Sequence, residues 1–132
     1  MAVVGDGAAP RDNALSVVIL CAEEAVRAAI AYWATVMPVQ TVVVEDGYQA
    51  SRALRNGDCR LIVTDRVLPP WPGLDTFRDL RERIPGLRIA FVEGVSHQDV
   101  SLARVAGVTH VIPRPLRRQM VVDTIVAAMR PS

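Results

Sequence analysis

The sequence predicts an α/β protein: an open, doubly wound parallel sheet of five strands with five helices. Two observations lead to this fold class. Short, β-branched apolar runs alternate along the chain with longer segments in which apolar residues recur at helical spacing. Several of the short runs are apolar throughout, which is typical of parallel strands covered on both faces. Right-handed crossovers between such strands then put helices on both faces of the sheet.

The predicted elements alternate regularly along the chain. Strands are predicted at residues 15–20, 41–45, 60–64, 88–92 and 109–112. Helices are predicted at residues 23–35, 47–55, 74–84 and 116–129, and a capping box at residues 96–99 is expected to open another helix. The last helix is expected to bury a subset of its apolar residues: Met120, Val122, Ile125, Val126 and Met129. Residues 1–13 are expected to form a flexible tail, and residues 14–132 a single domain.

Composition excludes several classes of function. Apolar residues make up 51% and charged residues 22% of the chain, which is a globular composition. A net charge of +1 argues against a broad nucleic-acid surface. No apolar run approaches the ~20 residues that cross a bilayer, and the N-terminus does not resemble a signal peptide. We therefore expect a cytoplasmic protein that binds neither membrane nor nucleic acid directly.

The chain contains two cysteines, Cys21 and Cys59. Two are too few for a disulfide framework or a cysteine metal site. Cys21 follows the first predicted strand and Cys59 precedes the third, so we expect them at opposite ends of the sheet. Both are predicted to be free thiols, in keeping with a reducing compartment.

Chemistry in a parallel sheet of this kind is expected where the strands end, because ligands bind outside the carboxyl ends of the strands. Asp65 and Arg66 follow the third strand, and Glu93 and Gly94 follow the fourth. The first strand is followed by Cys21, Ala22 and Glu23, and the fifth by Arg114 and Pro115.

The spacing of Asp65, Leu68, Pro69 and Gly73 resembles the phosphoacceptor loop of response-regulator receiver domains. The stretch EDGYQASRAL at residues 45–54 is similar to their second-helix entrance, and AGVTHVIPRPL at residues 106–116 to their fifth strand and proline turn. The resemblance extends over residues 14–130. It implies a flavodoxin-like, receiver-type sheet with strand order 2-1-3-4-5.

The resemblance also implies a chemistry, namely phosphoryl transfer from a histidine kinase onto Asp65. That reaction uses two acidic residues after the first strand to hold Mg²⁺, which prefers several oxygen ligands. In this chain the acidic pair falls on Cys21 and Ala22, with Glu23 as a neighbouring candidate. A thiol and a methyl group are poor ligands for this hard cation, so the acidic pocket is degenerate.

The switch positions implied by the resemblance also depart from the pattern. Glu93 stands where the family has Ser or Thr, and Arg114 stands where it has Lys. Val111 stands where the fifth strand of the family often has an aromatic residue. One guanidinium can bridge two carboxylates. We therefore predict an Asp65–Arg114–Glu93 cluster in place of a cluster of aspartate, metal and phosphoryl group.

Two functional hypotheses follow. The first is an atypical receiver domain (a pseudo-receiver) of two-component-type signalling, which is no enzyme and needs no cofactor. It acts independently of phosphorylation, through protein contacts that regulate an output such as transcription. The alternative is an active receiver in a phosphorelay. It has a weakened Mg²⁺ site of its own and is phosphorylated on Asp65 by a histidine kinase. A nucleotide- or flavin-binding protein of similar topology is disfavoured, because no glycine-rich loop follows the first strand.

Partner contacts are predicted at two places. Trp71, in a proline-rich loop beside the crevice, is either an exposed interface anchor or a lid packed onto the domain. Arg117 and Arg118 form a basic cluster with Arg114 at the start of the last helix. The resemblance implies a homodimer through the fourth helix, fifth strand and fifth helix, or contact with an output domain.

Overall fold

A computed structural model of the protein describes residues 15–56, 59–94 and 99–130. Its five strands form one parallel sheet in the order β2-β1-β3-β4-β5, which confirms the predicted fold class and strand order. The strands are β1 (Leu15–Leu20), β2 (Val39–Val44), β3 (Cys59–Thr64), β4 (Arg88–Val92) and β5 (His110–Ile112). The predicted N-terminal tail, residues 1–13, lies outside the described residues.

Five helices connect and cover the strands. They are α1 (Glu24–Ala34), α2 (Gly47–Asn56), α3 (Phe77–Arg83), α4 (Val100–Val105) and α5 (Arg118–Met129). The buried apolar residues fall into two clusters, one on each face of the sheet. One cluster includes residues of α1 and α5, and the other includes residues of α2, α3 and α4. Both faces are therefore covered, which explains why strands such as β4 are apolar along most of their length.

The register of the sheet sets which residues meet at its carboxyl edge. Thr64 of the central strand β3 lies opposite Leu20 of β1 and opposite Phe91 of β4, and Val92 lies opposite Ile112. The residues that follow these positions therefore emerge side by side, with Asp65 in the middle.

Helix starts differ from the prediction: α1 and α5 begin one and two residues later than predicted, and α3 and α4 differ in how they are capped. Helix α3 begins at Phe77 rather than residue 74, because the hydroxyl of Thr76 caps it by accepting a hydrogen bond from the Asp79 N–H at 2.9 Å. Helix α4 begins at Val100, and its N-cap is Asp99, whose carboxylate accepts from the Ser101 N–H. Asp99 is therefore the N-cap residue and not the last residue of the predicted capping box. The first three residues of that box, 96–98, lie outside the described residues.

The buried face of α5 also differs from the prediction. Its fully buried residues are Val121, Ile125 and Ala128, spaced four and three residues apart. Of the predicted set, Ile125 is buried, whereas Met120 and Val126 are each 42% exposed. The prediction that a subset is buried was therefore correct, but Val121 and Ala128 lay outside that set. The helix is apolar around most of its circumference, and the sequence alone therefore does not determine which side faces the sheet.

The two cysteines lie at opposite ends of the sheet, as predicted. Cys59 is the first residue of β3 and pairs with Ser16, whereas Cys21 follows the last residue of β1. The strand rise separates them by roughly 15–20 Å. Both are free and buried. Among the described residues, no helix combines the length and apolar character needed to cross a membrane.

Candidate functional site at the carboxyl edge of the sheet

The site is centred on Asp65, the residue after the central strand β3. Its side chain is completely buried, and it is the one buried carboxylate among the described residues. Its Oδ1 accepts a hydrogen bond from the main-chain N–H of Ala22 at 2.9 Å, and its Oδ2 accepts one from the N–H of Glu23 at 2.9 Å. Hydrogen bonds to an ionised acceptor are among the stronger ones in proteins.

These two N–H groups belong to the start of α1. Glu23 is the N-cap residue of that helix, but its own side chain makes no capping hydrogen bond. The Asp65 carboxylate therefore binds the N–H groups of the N-cap residue and of the residue before it, so it fixes the chain where α1 begins. Its negative charge also lies at the end of α1 where the helix dipole favours an anion. In this way Asp65 ties the central strand to the β1–α1 junction.

The residues around Asp65 do not fit a magnesium ion. Two main-chain N–H groups point at the carboxylate, and N–H groups are donors that a cation cannot use as ligands. Ala22 adds no ligand, and within the described ranges no three His, Cys, Asp or Glu side chains are grouped so that they could hold a metal.

Cys21 lies beside this centre but is not a reactive thiol. Only 2% of its side chain is exposed, and its Sγ contacts the carbonyl oxygen of Val63 at 3.9 Å. Burial raises its pKa far above the ordinary value, and the charge of Asp65 raises it further, while Arg27 opposes the shift. Because the thiolate is the reactive form, Cys21 acts as a small buried apolar residue and not as a thiol sensor.

The predicted cluster of Asp65, Arg114 and Glu93 is not formed. The Arg114 side chain instead packs against Gly94, where a Cβ atom would lie 2.7 Å from Arg114 Cδ. Gly94 has φ of +81°, so both its backbone conformation and this close approach favour glycine. Glu93 is half-buried, and its N–H extends the sheet by donating to Ile112 O at 2.9 Å. Within the described ranges, Arg114 forms no ion pair with either carboxylate.

Arg114 instead lines a groove of about 470 Å³ at the carboxyl edge. The groove runs between the start of α1 and the loop before α5, with Glu23 on one side and Pro115 and Leu116 on the other. Of the predicted site residues, the structure thus brings Ala22 and Glu23 to Asp65, and Glu23 and Arg114 to a shared groove.

Trp71 is a lid packed onto the domain, so the alternative that it is an exposed interface anchor is wrong. Its ring is only 6% exposed. Its Nε1–H lies within hydrogen-bond distance of two acceptors, Thr64 Oγ1 at 3.2 Å and Arg66 O at 3.1 Å. The indole is therefore both apolar core and polar anchor for the loop after β3.

Arg66 is a residue of this site that the sequence analysis did not interpret. Its guanidinium lies over the Trp71 ring, 4.0 Å from the ring centroid, in a cation–π contact. Its Nε is buried with no hydrogen-bond acceptor among the described residues. An arginine five positions before a tryptophan in a proline-rich loop was the only sequence signal for this contact.

The remaining predicted residues lie on the side of β5. Val111 is partly buried and packs against the apolar cluster on the α2–α4 face. Arg117 is the N-cap residue of α5 and Arg118 its first residue, and both are exposed. On α4, Val105 is 65% exposed and Leu102 is 41% exposed.

No protein-family model and no curated protein matches the chain. Solved structures do match: the chemotaxis response regulator CheY4 of Vibrio cholerae has 12% identity and a TM-score of 0.68, covering 89% of this chain and 100% of that one. A response regulator from Thermotoga maritima has 18% identity and a TM-score of 0.72, covering 88% and 98%.

A third solved structure is the N-terminal signal receiver domain of a two-component response regulator from Bacteroides fragilis. It has 13% identity and a TM-score of 0.73, covering 91% of this chain and 100% of that one. At such identities the similarity establishes a shared fold and transfers no residue roles. The chain has the fold of response-regulator receiver domains.

Proposed function

We propose that this chain is a signalling module with the receiver fold that works without phosphorylation of Asp65. It is not an enzyme, and it regulates its output, such as transcription, through contacts with a protein partner or output domain. The observation that carries the proposal is the engagement of both Asp65 oxygens by the N–H groups of Ala22 and Glu23. Its two buried free thiols suit the cytoplasm.

The chemistry of Asp65 supports this proposal. A phosphoacceptor must present a carboxylate oxygen to an incoming phosphoryl group, with cations to offset the charge. Here the carboxylate is fully buried, and phosphorylation would break at least one of the hydrogen bonds that hold the start of α1. Glu93 would add a negative charge where the resemblance implies a hydroxyl. The substitutions at the neighbouring strand ends therefore disfavour the reaction.

Contact with a partner is proposed on the face formed by α4, β5 and α5. The exposed apolar residues of these elements include Val105 and Leu102 on α4 and Met120 on α5, and Arg117 and Arg118 are exposed where α5 begins. Apolar side chains surrounded by arginine are a composition favoured at protein interfaces. A second copy of the chain is the simplest occupant, and an output domain is the other.

The proposal is tested with beryllofluoride, a phosphoryl mimic, in the presence of Mg²⁺. We expect the amide spectrum of ¹⁵N-labelled protein to show no saturable change, and the wild-type and Asp65→Asn proteins to respond alike. The reagents are checked on a receiver domain with a complete acidic pocket. A saturable, Mg²⁺-dependent change in the wild-type protein that Asp65→Asn abolishes would instead establish the active phosphoacceptor.

A further inference from the structure

A second groove, which shares no lining residue with the groove of Arg114, lies between α2 and α3. Its volume is about 450 Å³, within the range of roughly 300–1,000 Å³ typical of small-molecule sites. Leu80 and Ile84 supply its apolar floor, since Leu80 is buried and Ile84 half-buried. The groove lies on the opposite face of the sheet from α1 and α5.

The rim of this groove is strongly cationic. Arg52 and Arg55 reach it from α2, and Arg83 reaches it from α3. All three side chains are exposed, and no Asp or Glu lines the groove. Within the described ranges none of the three has an ion pair with a carboxylate. Three neighbouring guanidiniums repel one another, and a bound anion would relieve that repulsion through paired hydrogen bonds.

One wall of the groove is an aromatic ring. Tyr48 is 63% exposed, yet its ring is held in place against the backbone of Gly73. A Cβ atom on Gly73 would lie 2.8 Å from Tyr48 Cγ, so only glycine permits this approach. The φ of +89° at this position also favours glycine. A fixed, exposed ring is preorganised for stacking and loses little entropy on binding.

Helix electrostatics alone does not explain this arrangement. Arg55 lies in the last turn of α2, and Arg81 and Arg83 lie in the last turn of α3, where cations complement the helix dipole. Arg81, however, does not line the groove, whereas Arg52 lines it from outside the last turn. The convergence of three arginines, Tyr48 and the Ser51 hydroxyl on one cavity needs a further reason.

We propose that the α2–α3 groove binds a small aromatic phosphate of mononucleotide size. The planar ring stacks on Tyr48 above the apolar floor, and the phosphate lies among Arg52, Arg55 and Arg83. An acidic protein segment could bind to the arginines alone and would need neither the cavity nor the Tyr48 ring. This site is independent of the proposed function, because Asp65, Ala22 and Glu23 are not among the residues that line it.

The test is a titration of the ¹⁵N-labelled chain with AMP, GMP and UMP, monitored through its amide spectrum. At least one nucleotide is expected to give saturable shifts confined to α2, α3 and the Gly73 loop. Adenosine tests the ring alone, and inorganic phosphate tests the anion alone; each is expected to bind more weakly than the nucleotide. Arg83→Gln and Tyr48→Ala are each expected to weaken binding by about tenfold or more.

Arg81→Gln is the matched control, because it removes the same charge from the same helical turn outside the groove. It is expected to bind the nucleotide as the wild-type protein does, and far-ultraviolet circular dichroism verifies that each variant is folded. The proposal is overturned if no nucleotide gives saturable shifts or if Arg81→Gln weakens binding as much as Arg83→Gln. Phosphate binding as tightly as the nucleotides, or tighter binding of an acidic peptide, would also overturn it.

Discussion

At the scale of single residues, the surroundings of Asp65 matter more than its position along the chain. A carboxylate at the end of a central parallel strand lies where a reacting group is expected. In this chain it receives hydrogen bonds from the N–H groups of Ala22 and Glu23, which are 43 and 42 residues away in sequence. The side chain therefore stabilises the junction between β1 and α1.

Replacing Asp65 by Asn is expected to destabilise the fold. An amide offers one carbonyl oxygen, so at least one of the two N–H groups would face an NH₂ donor. An unsatisfied buried donor costs about 1–3 kcal/mol, and we expect the free energy of unfolding in urea to fall by that amount. Asp75→Asn, at an exposed position, is the control and should change little. An Asp65→Asn protein as stable as the wild type would contradict the capping role.

His110 is expected to make stability depend on pH. Partial burial lowers its pKa below the ordinary 6.5, and the positive charges of Arg88 and Arg104 lower it further. The unfolded chain therefore binds the proton more readily than the folded protein does. Stability should be full above the unfolded-state pKa and should fall as the pH drops from that value through the folded-state pKa.

The measurement is urea unfolding of the wild-type and His110→Gln proteins at a series of pH values between about 7 and 5. Carboxylates titrate in both proteins, so the difference between the two curves isolates His110. The wild-type protein should lose more stability than the variant on acidification. Parallel curves would show that the surroundings of His110 do not disfavour its charged form.

At the scale of elements, strand positions follow from sequence more reliably than helix phase and helix starts. The bounds of β1 and β4 were predicted as they are observed, because each is a short and mostly apolar run of five or six residues. Helix α3 starts later than predicted because Leu74 belongs to a turn in which its N–H donates to Trp71 O. Its apolar side chain is buried, so periodicity alone did not distinguish the turn from the helix.

The buried face of α5 is tested by two neighbouring substitutions. Ile125 is fully buried beneath α5, whereas Val126 is 42% exposed. We expect Ile125→Ala to lower the free energy of unfolding by about 2–5 kcal/mol, because it leaves a cavity against the sheet. Val126→Ala should change it by about 0.5 kcal/mol or less. Equal effects in urea unfolding would mean that the helix faces the sheet with a different side.

At the scale of the whole molecule, the two faces and two edges of the sheet differ in what they offer a partner. The β5 edge lies beside the face of α4, β5 and α5 that we propose for protein contact. The opposite edge is formed by β2. Because β5 is only three residues long, side chains of the flanking helices supply most of that face.

Self-association through the α4–β5–α5 face predicts a selective effect of charge. Val105, 65% exposed on α4, lies within that face, and Val105→Asp should abolish dimers because it buries an unpaired carboxylate. Val36→Asp is the matched control, since Val36 is 60% exposed but precedes the β2 edge. Sedimentation velocity over a range of concentrations measures both. A wild-type chain that stays monomeric, or equal dissociation of both variants, would exclude this dimer.

The sequence by itself determined the five alternating units, the parallel direction of their strands and the placement of Asp65 after the third strand. These follow from local periodicity, which acts over a few residues, and from the general handedness of crossovers. It also showed a thiol at Cys21 and a methyl group at Ala22, where the resemblance implies acidic residues, because residue types are read directly.

Only the tertiary structure decided what Asp65 binds, where Arg114 lies and whether Trp71 is exposed. Each depends on contacts that form only in the folded chain, which the spacing of apolar residues does not predict. The sequence prediction gave Asp65 a charged side chain as its partner, because residue types are all that a sequence shows. In the fold, its partners are main-chain N–H groups. Every non-proline residue carries such a group, so no sequence pattern indicates which of them will bind. Asp65 therefore lies at the position that the resemblance implies for a phosphoacceptor, and its carboxylate binds the two N–H groups that precede the first turn of α1.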